Sequence, residues 1–297
     1  MYANWHALLS RAWLIGVIWL LAACSTPAGN NAPVDNDSPI QSDAVSEIQV
    51  VVATNDFPAG QPRIPFVLYD GPDPVTDVQA VRLTLFDLST DPPQAGWQGD
   101  AIAYTDYEVP YWVATPPIPT AGIWGLLAQV TRENGTAVEA QFTVQVGEES
   151  LAPAIGAVPP ASENRTLSTE PDITLLTTDP DPTPALYEMT VAEALASGRP
   201  TVVTFATPAF CQTAICTPVV NSVESVYADY GDEVNFIHIE IYDDFQELTL
   251  AEPVIAWNLQ SEPWTFVLDA DGKVVARLGG PVSPRELQKA LLGLSNG

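Results

Sequence analysis

The chain has 297 residues, 37 acidic against 10 basic, for a formal net charge of −27, and it is 46% hydrophobic and 9% aromatic. That apolar content is enough for packed cores and excludes wholesale disorder, while the length leads to an expectation of two domains. The charge excludes a nucleic-acid-binding face and charge-driven docking on anionic lipid, because no basic patch survives it; its plain consequence is solubility.

Residues 1–23 read as a targeting segment. Arg11 precedes an apolar run, residues 12–21, that is too short to span a bilayer comfortably and is followed by small residues, as in signal peptides. The ending Leu21-Ala22-Ala23-Cys24 resembles a bacterial lipobox. That resemblance implies cleavage before Cys24, a lipid on that cysteine, and an extracytoplasmic protein anchored to the cell membrane. An uncleaved membrane anchor is the alternative and gives the same side of the membrane. Residues 24–46 have no apolar period and read as a flexible tether.

Residues 47–147 change character. Alternating or β-branched runs at 48–53, 64–69, 78–88, 101–107, 111–114, 123–131 and 138–146 predict about seven strands. Glu133-Asn134-Gly135-Thr136 predicts a hairpin, since Asn-Gly accepts positive φ at both turn positions. The pattern is that of an antiparallel β-sandwich and resembles the small immunoglobulin-like modules of bacterial envelope proteins. It holds no Cys, His or Met, and Trp97, Trp112 and Trp124 are expected to pack rather than cage a ligand. Residues 148–184, rich in Pro, Ser, Thr and acidic residues, read as a partly stiff linker that keeps two domains apart.

From residue 185 helix and strand alternate. Thr190-Val191-Ala192-Glu193 is a capping box, with Gly198 as a helix stop. The β-branched run 201–206 predicts a buried strand, followed by Cys211, Cys216 and a helix with Thr217 as N-cap and Pro218 in its first turn. A strand at 234–241, an ambiguous stretch at 243–259, strands at 264–268 and 273–278 around an Asp269–Gly272 turn, and a helix opened by a Ser283–Glu286 capping box complete the chain.

This order over residues 185–297 resembles thioredoxin: VVTFATPAFC for the strand and nucleophilic cysteine, Pro218 for the helix proline, VNFIHIEIYD for the next central strand, Ser261-Glu262-Pro263-Trp264-Thr265 for the cis-proline loop, and LDADGKVV for the last hairpin. The fold class expected from these resemblances is two domains, an all-β immunoglobulin-like sandwich followed by an α/β thioredoxin-like fold. The resemblance implies thiol–disulfide exchange on envelope proteins that carry thiols or disulfides. Cys211 and Cys216 would be the catalytic pair, and Pro263 would shape the substrate groove. It implies no cofactor and no metal.

The pair departs from the family's Cys-x-x-Cys. Five residues along one helix separate by about 140° and about 7.5 Å of rise, too far for a disulfide, so Cys211 must lie in the loop with the helix starting near Cys216. Where thioredoxins keep a buried carboxylate this chain has Thr204, and His238 on the neighbouring strand is a candidate for proton transfer, or else simply a satisfied core histidine. Two other readings stay open: a binding lipoprotein with a structural disulfide, and a copper-delivering assembly factor, for which the chain has no further ligands at the expected places. Peroxidase chemistry is disfavoured because Ala209 stands where that family has Thr.

Overall fold

The structure, a computed structural model, describes residues 48–211 and 215–294. The expected signal segment, Cys24 and the tether lie outside the described residues. Among the described residues no helix is long and apolar enough to cross a membrane.

The first part of the chain folds as β1 (Ile48–Val52), β2 (Phe57–Pro58), β3 (Ile64–Asp70), β4 (Asp73–Pro74), β5 (Val78–Asp87), β6 (Gln94–Asp100), β7 (Ile102–Tyr104), β8 (Tyr111–Ala114), β9 (Gly122–Arg132) and β10 (Ala137–Gly147). These form two five-stranded sheets, one ordered β1-β3-β8-β7 with β4 beside β3, the other β2-β10-β9-β5-β6. Period-two alternation sends Val81, Leu83 and Leu85 of β5 and Leu126, Ala128 and Val130 of β9 into a core shared with Phe66, Leu68 and Trp112 of the other sheet. Trp124 joins that core and Trp97 packs against it, as expected. Periodicity did not indicate the two-residue strands β2 and β4, nor β6: Gly96 and Gly99 flank Trp97, and β6 lies at a sheet edge with mostly exposed side chains. In the β9–β10 loop only Gly135 takes positive φ, +83°, while Asn134 Oδ1 accepts the Thr136 N–H at 2.8 Å. The hairpin is present, but as a four-residue loop closed by the Asn side chain rather than a two-residue turn.

The second part contains α1 (Val191–Ala196), β11 (Thr201–Ala206), α2 (Cys216–Tyr230), β12 (Asn235–Glu240), β13 (Tyr242–Asp244), β14 (Thr249–Leu250), α3 (Glu252–Ala256), β15 (Trp264–Leu268), β16 (Val274–Gly279) and α4 (Pro284–Leu294). The central sheet runs β12-β11-β15-β16, with β12 parallel to β11, β15 antiparallel to β11 and β16 antiparallel to β15. Along the chain the strand, cysteines, helix, strand, Pro-led strand, hairpin and C-terminal helix follow one another in the expected order. Strands β11, β12 and β15 are buried on both faces: Val203, Phe205, Ile237 and Phe266 pack toward α1 and α3, and Val202, Phe236 and Val267 toward α2 and α4. The α1 capping box forms in full: the Glu193 N–H donates to Thr190 Oγ1 at 3.1 Å and the Thr190 N–H to Glu193 Oε2 at 2.8 Å.

The sequence leads one to expect two domains held apart by a linker; the described residues from 48 to 294 fall in one compact unit. Residues 148–184 are not a spacer. They run along the α/β part: the Gly156 N–H donates to the Val274 carbonyl and the Val274 N–H to the Ala157 carbonyl, Asn164 Oδ1 accepts the Val191 N–H, and Leu176 is buried. Proline and polar residues leave no apolar period to read, yet several polar groups of this segment bond specific partners on the sheet and helices. The β-part also docks directly. The buried ion pairs Arg63–Glu286 at 2.8 Å and Arg277–Asp56 at 2.6 Å join the two parts. Val67, Tyr104, Tyr111 and Val113 on the outer face of the first sheet pack with Val219 of α2.

Candidate functional site

The site is built where β11 ends and α2 begins. On β11 alternate side chains face α2, and the last of them, Ala206, packs with Cys216 and Val220. After Ala206 the chain turns, the Cys211 N–H donating to the Thr207 carbonyl at 3.1 Å. Cys211 lies in this loop and Cys216 is the first residue of α2, and the two are joined as a disulfide with Cα atoms 6.0 Å apart. The geometric condition drawn from the spacing is met. Thr217 is not the cap, however: Ile215 holds that position with no side-chain bond, and Pro218 sits third in the helix. A proline there is tolerated because its missing N–H belongs to the first turn, which has no intrahelical partner.

Exposure is unequal. Cys216 is fully buried, whereas Cys211 is partly exposed. Cys216 also stands among the unpaired N–H groups of a 15-residue helix, a position that favours a thiolate. Residues 212–214 lie outside the described residues.

Pro263 follows Glu262 through a cis peptide bond and precedes Trp264, which pairs with Phe205 near the end of β11. The proline itself is buried, so the polar edge presented to solvent is Ser261-Glu262. An open groove of about 610 Å³ begins there, lined by Ser261, Glu262, Ile215 and, from the β-part, Val51, Val67 and Tyr69. Burial, and after it the Glu240 carboxylate, push the Glu262 carboxyl above its usual range.

Thr204 is buried and its hydroxyl meets that of Thr265 at 3.2 Å. His238 pairs with it across the sheet. The His238 ring is engaged at both nitrogens: Nε2 with the Ala206 carbonyl at 3.1 Å and Nδ1 with the Tyr187 hydroxyl at 2.6 Å. A carbonyl can only accept, so Nε2 carries the proton and Nδ1 accepts from Tyr187. Burial lowers the His238 pKa, against the opposing pull of Glu240, Asp179 and Glu224.

Three contributors were invisible to the motif reading. Glu240, two residues beyond His238 on the same face of β12, keeps a buried carboxylate beneath the cysteine loop. Thr178, from the segment read as a linker, bonds both Glu240 and the loop. Tyr107 of the β-part donates to the carbonyl of Ile215 at 3.3 Å and so holds the start of α2. The strand alternation Phe236-His238-Glu240 was the available signal for the first; the other two depend on long-range packing. Among the described residues no group of three or more His, Cys, Asp and Glu side chains is arranged to hold a metal ion.

No protein-family model matches the sequence, and comparison with curated proteins finds no match. Solved structures do resemble parts of it. A thiol:disulfide interchange protein of the thioredoxin family from Chlorobium tepidum TLS shares 17% identity, covering 48% of this chain and 99% of that one at a TM-score of 0.34. A DsbF homologue from Corynebacterium diphtheriae shares 16%, covering 36% and 77% at 0.31. CopC from Methylosinus trichosporium OB3b shares 16%, covering 34% and 93% at 0.25.

Proposed function

We propose that the chain is an extracytoplasmic, lipid-anchored thiol–disulfide exchange protein acting on other envelope proteins, its immunoglobulin-like β-sandwich serving as a wall beside the reactive pair. The observation that carries this reading is the unequal exposure of a disulfide at a helix start: only Cys211 can be reached by a partner, and only Cys216 is placed to resolve.

In the reduced state the Cys211 thiolate attacks a partner disulfide, forming a mixed disulfide and releasing one partner thiolate. The Cys216 thiolate then attacks Cys211 Sγ, closes the internal bond and expels the second partner thiolate. Two electrons pass from the pair to the partner, and the two partner thiolates take up the protons the pair has lost; the reverse sequence oxidises a partner dithiol. The groove lined by Glu262, Ile215 and Val51 is where an extended partner segment would lie.

A purely structural bridge resists glutathione-range reductants, with potentials below about −300 mV. We expect the Cys211/Cys216 pair to titrate above that value, and Cys216→Ser to accumulate mixed disulfides through Cys211. A pair that stays oxidised under native reductant, with no adducts on the variant, overturns the reading and leaves a binding module with a structural disulfide. For the anchor, Cys24→Ser is expected to move the protein out of the membrane fraction or to stop its processing; a variant that stays membrane-bound at mature size rejects lipidation at Cys24.

A further inference from the structure

We propose that Thr178 is a positioning residue for the exchange reaction: from outside the thioredoxin-like core it ties the Cys211 loop to the buried Glu240 carboxylate, and this tie sets how readily the disulfide opens. The inference rests on the exchange reading above.

The bonds form one connected set. The Ala209 N–H, two residues before Cys211, donates to Thr178 Oγ1 at 3.0 Å. The Thr178 hydroxyl donates to Glu240 Oε2 at 2.9 Å, and the Thr178 N–H donates to the same oxygen at 2.9 Å. Glu240 Oε1 takes the Ile241 N–H at 3.2 Å, and the residue is 5% exposed. The Thr178 hydroxyl therefore has a fixed direction: its proton is committed to a carboxylate, which makes its oxygen a better acceptor for Ala209. On its other side the loop is steadied by Phe210, whose ring lies 5.8 Å from Tyr242 and 6.1 Å from Phe245.

Closing the internal disulfide depends on the effective concentration of one sulfur near the other. Cys216 is fixed in the helix, so that concentration is governed by how tightly the Cys211 loop is held. Thr178→Val keeps the volume and the β-branch, and keeps the backbone bond to Glu240, so residues 148–184 stay docked. It removes only the hydroxyl, leaving the Ala209 N–H and one Glu240 lone pair without their partner. The loop loosens, closure becomes less favourable and the pair becomes more oxidising.

The test is the thiol–disulfide equilibrium of the full chain against dithiothreitol, with wild type, Thr178→Val and Thr178→Ser compared. Thr178→Val is expected to lower the equilibrium constant for closure about tenfold, a rise of about 30 mV for this two-electron couple. Thr178→Ser, which keeps the hydroxyl, is expected to stay within about threefold of wild type. Amide exchange gives a readout that needs no variant: in the oxidised wild type the Ala209 N–H is expected to be protected despite lying in a loop. Equal constants for wild type and Thr178→Val, an equal shift in Thr178→Ser, or an Ala209 amide exchanging as freely as exposed loop amides would overturn the proposal. A wild-type pair that never reduces removes the exchange reading and this proposal with it. A wild type that titrates normally beside an unshifted Thr178→Val removes this proposal alone.

Discussion

His238 shows how a single buried residue sets a pH dependence. Burial lowers its pKa from the ordinary 6.5, while Glu240 on its own strand, Asp179 from residues 148–184 and Glu224 from α2 pull the other way without prevailing. The folded chain keeps the ring neutral, with Nε2 donating to Ala206 and Nδ1 accepting from Tyr187. Below about pH 6.5 the unfolded chain takes up a proton that the folded chain does not, so stability is present above that pH and is lost as pH falls toward the lowered folded value. Replacing the histidine should therefore cost more at neutral than at acid pH. We expect the stability gap between wild type and His238→Gln, measured by urea denaturation, to narrow between pH 7.5 and 5.5; a gap that does not change with pH would show that the ring titrates normally.

At the scale of elements, α4 shows what its sequence could and could not say. Ser283-Pro284-Arg285-Glu286 announces a helix start, and Ser283 Oγ does accept the Glu286 N–H at 3.2 Å. The reciprocal half of the box is missing, because the Ser283 N–H donates to the Tyr111 hydroxyl and the Glu286 carboxylate receives Arg63 and Tyr111 instead. Local spacing made the cap legible; the competing partner sits 223 residues away and left no local trace. The same contrast runs through the site. Cys211, Cys216 and the strand before them are a local signal, whereas Thr178 and Tyr107 reach it only through the packing of segments that looked like a linker and a separate domain. Arg63 also donates to the carbonyls of Gly279 and Pro281, so it is tied to α4 and to the end of β16 together. Breaking a buried pair by removing one partner costs about 3–5 kcal/mol. Glu286→Leu is expected to fall in that range by urea denaturation, and Arg63→Met with Glu286→Leu to recover part of it; additive losses would mean that the two side chains do not couple.

At the scale of the whole molecule, composition suggested two independent bodies, whereas in the structure each part covers surface that the other would expose. Freed from the β-part, the α/β part would present Val219 to water and leave Glu286 and Arg277 without Arg63 and Asp56. Freed from the α/β part, the β-part would leave Asp56 without Arg277 and uncover Tyr104, Tyr111 and Val113 on the outer face of its first sheet. Gly279 and Gly280 add a steric condition. A Cβ on Gly280 would stand 2.6 Å from the Ala53 carbonyl oxygen, so there the two backbones approach more closely than any side chain allows, and one on Gly279 would stand 2.7 Å from the Thr54 hydroxyl oxygen. Gly280 also needs its positive φ of +79°. Two ion pairs, a shared aromatic cluster and a glycine contact make the unfolding of one part destabilise the other. Residues 48–294 should therefore unfold in one cooperative transition, with calorimetric and van't Hoff enthalpies equal. Gly280→Ala, which strains the contact without touching either core, should lower the temperature of that single transition rather than split it. Two resolved transitions in the unmodified chain would show that the parts are independent, and a Gly280→Ala variant melting as wild type would show that the close approach is not kept in solution.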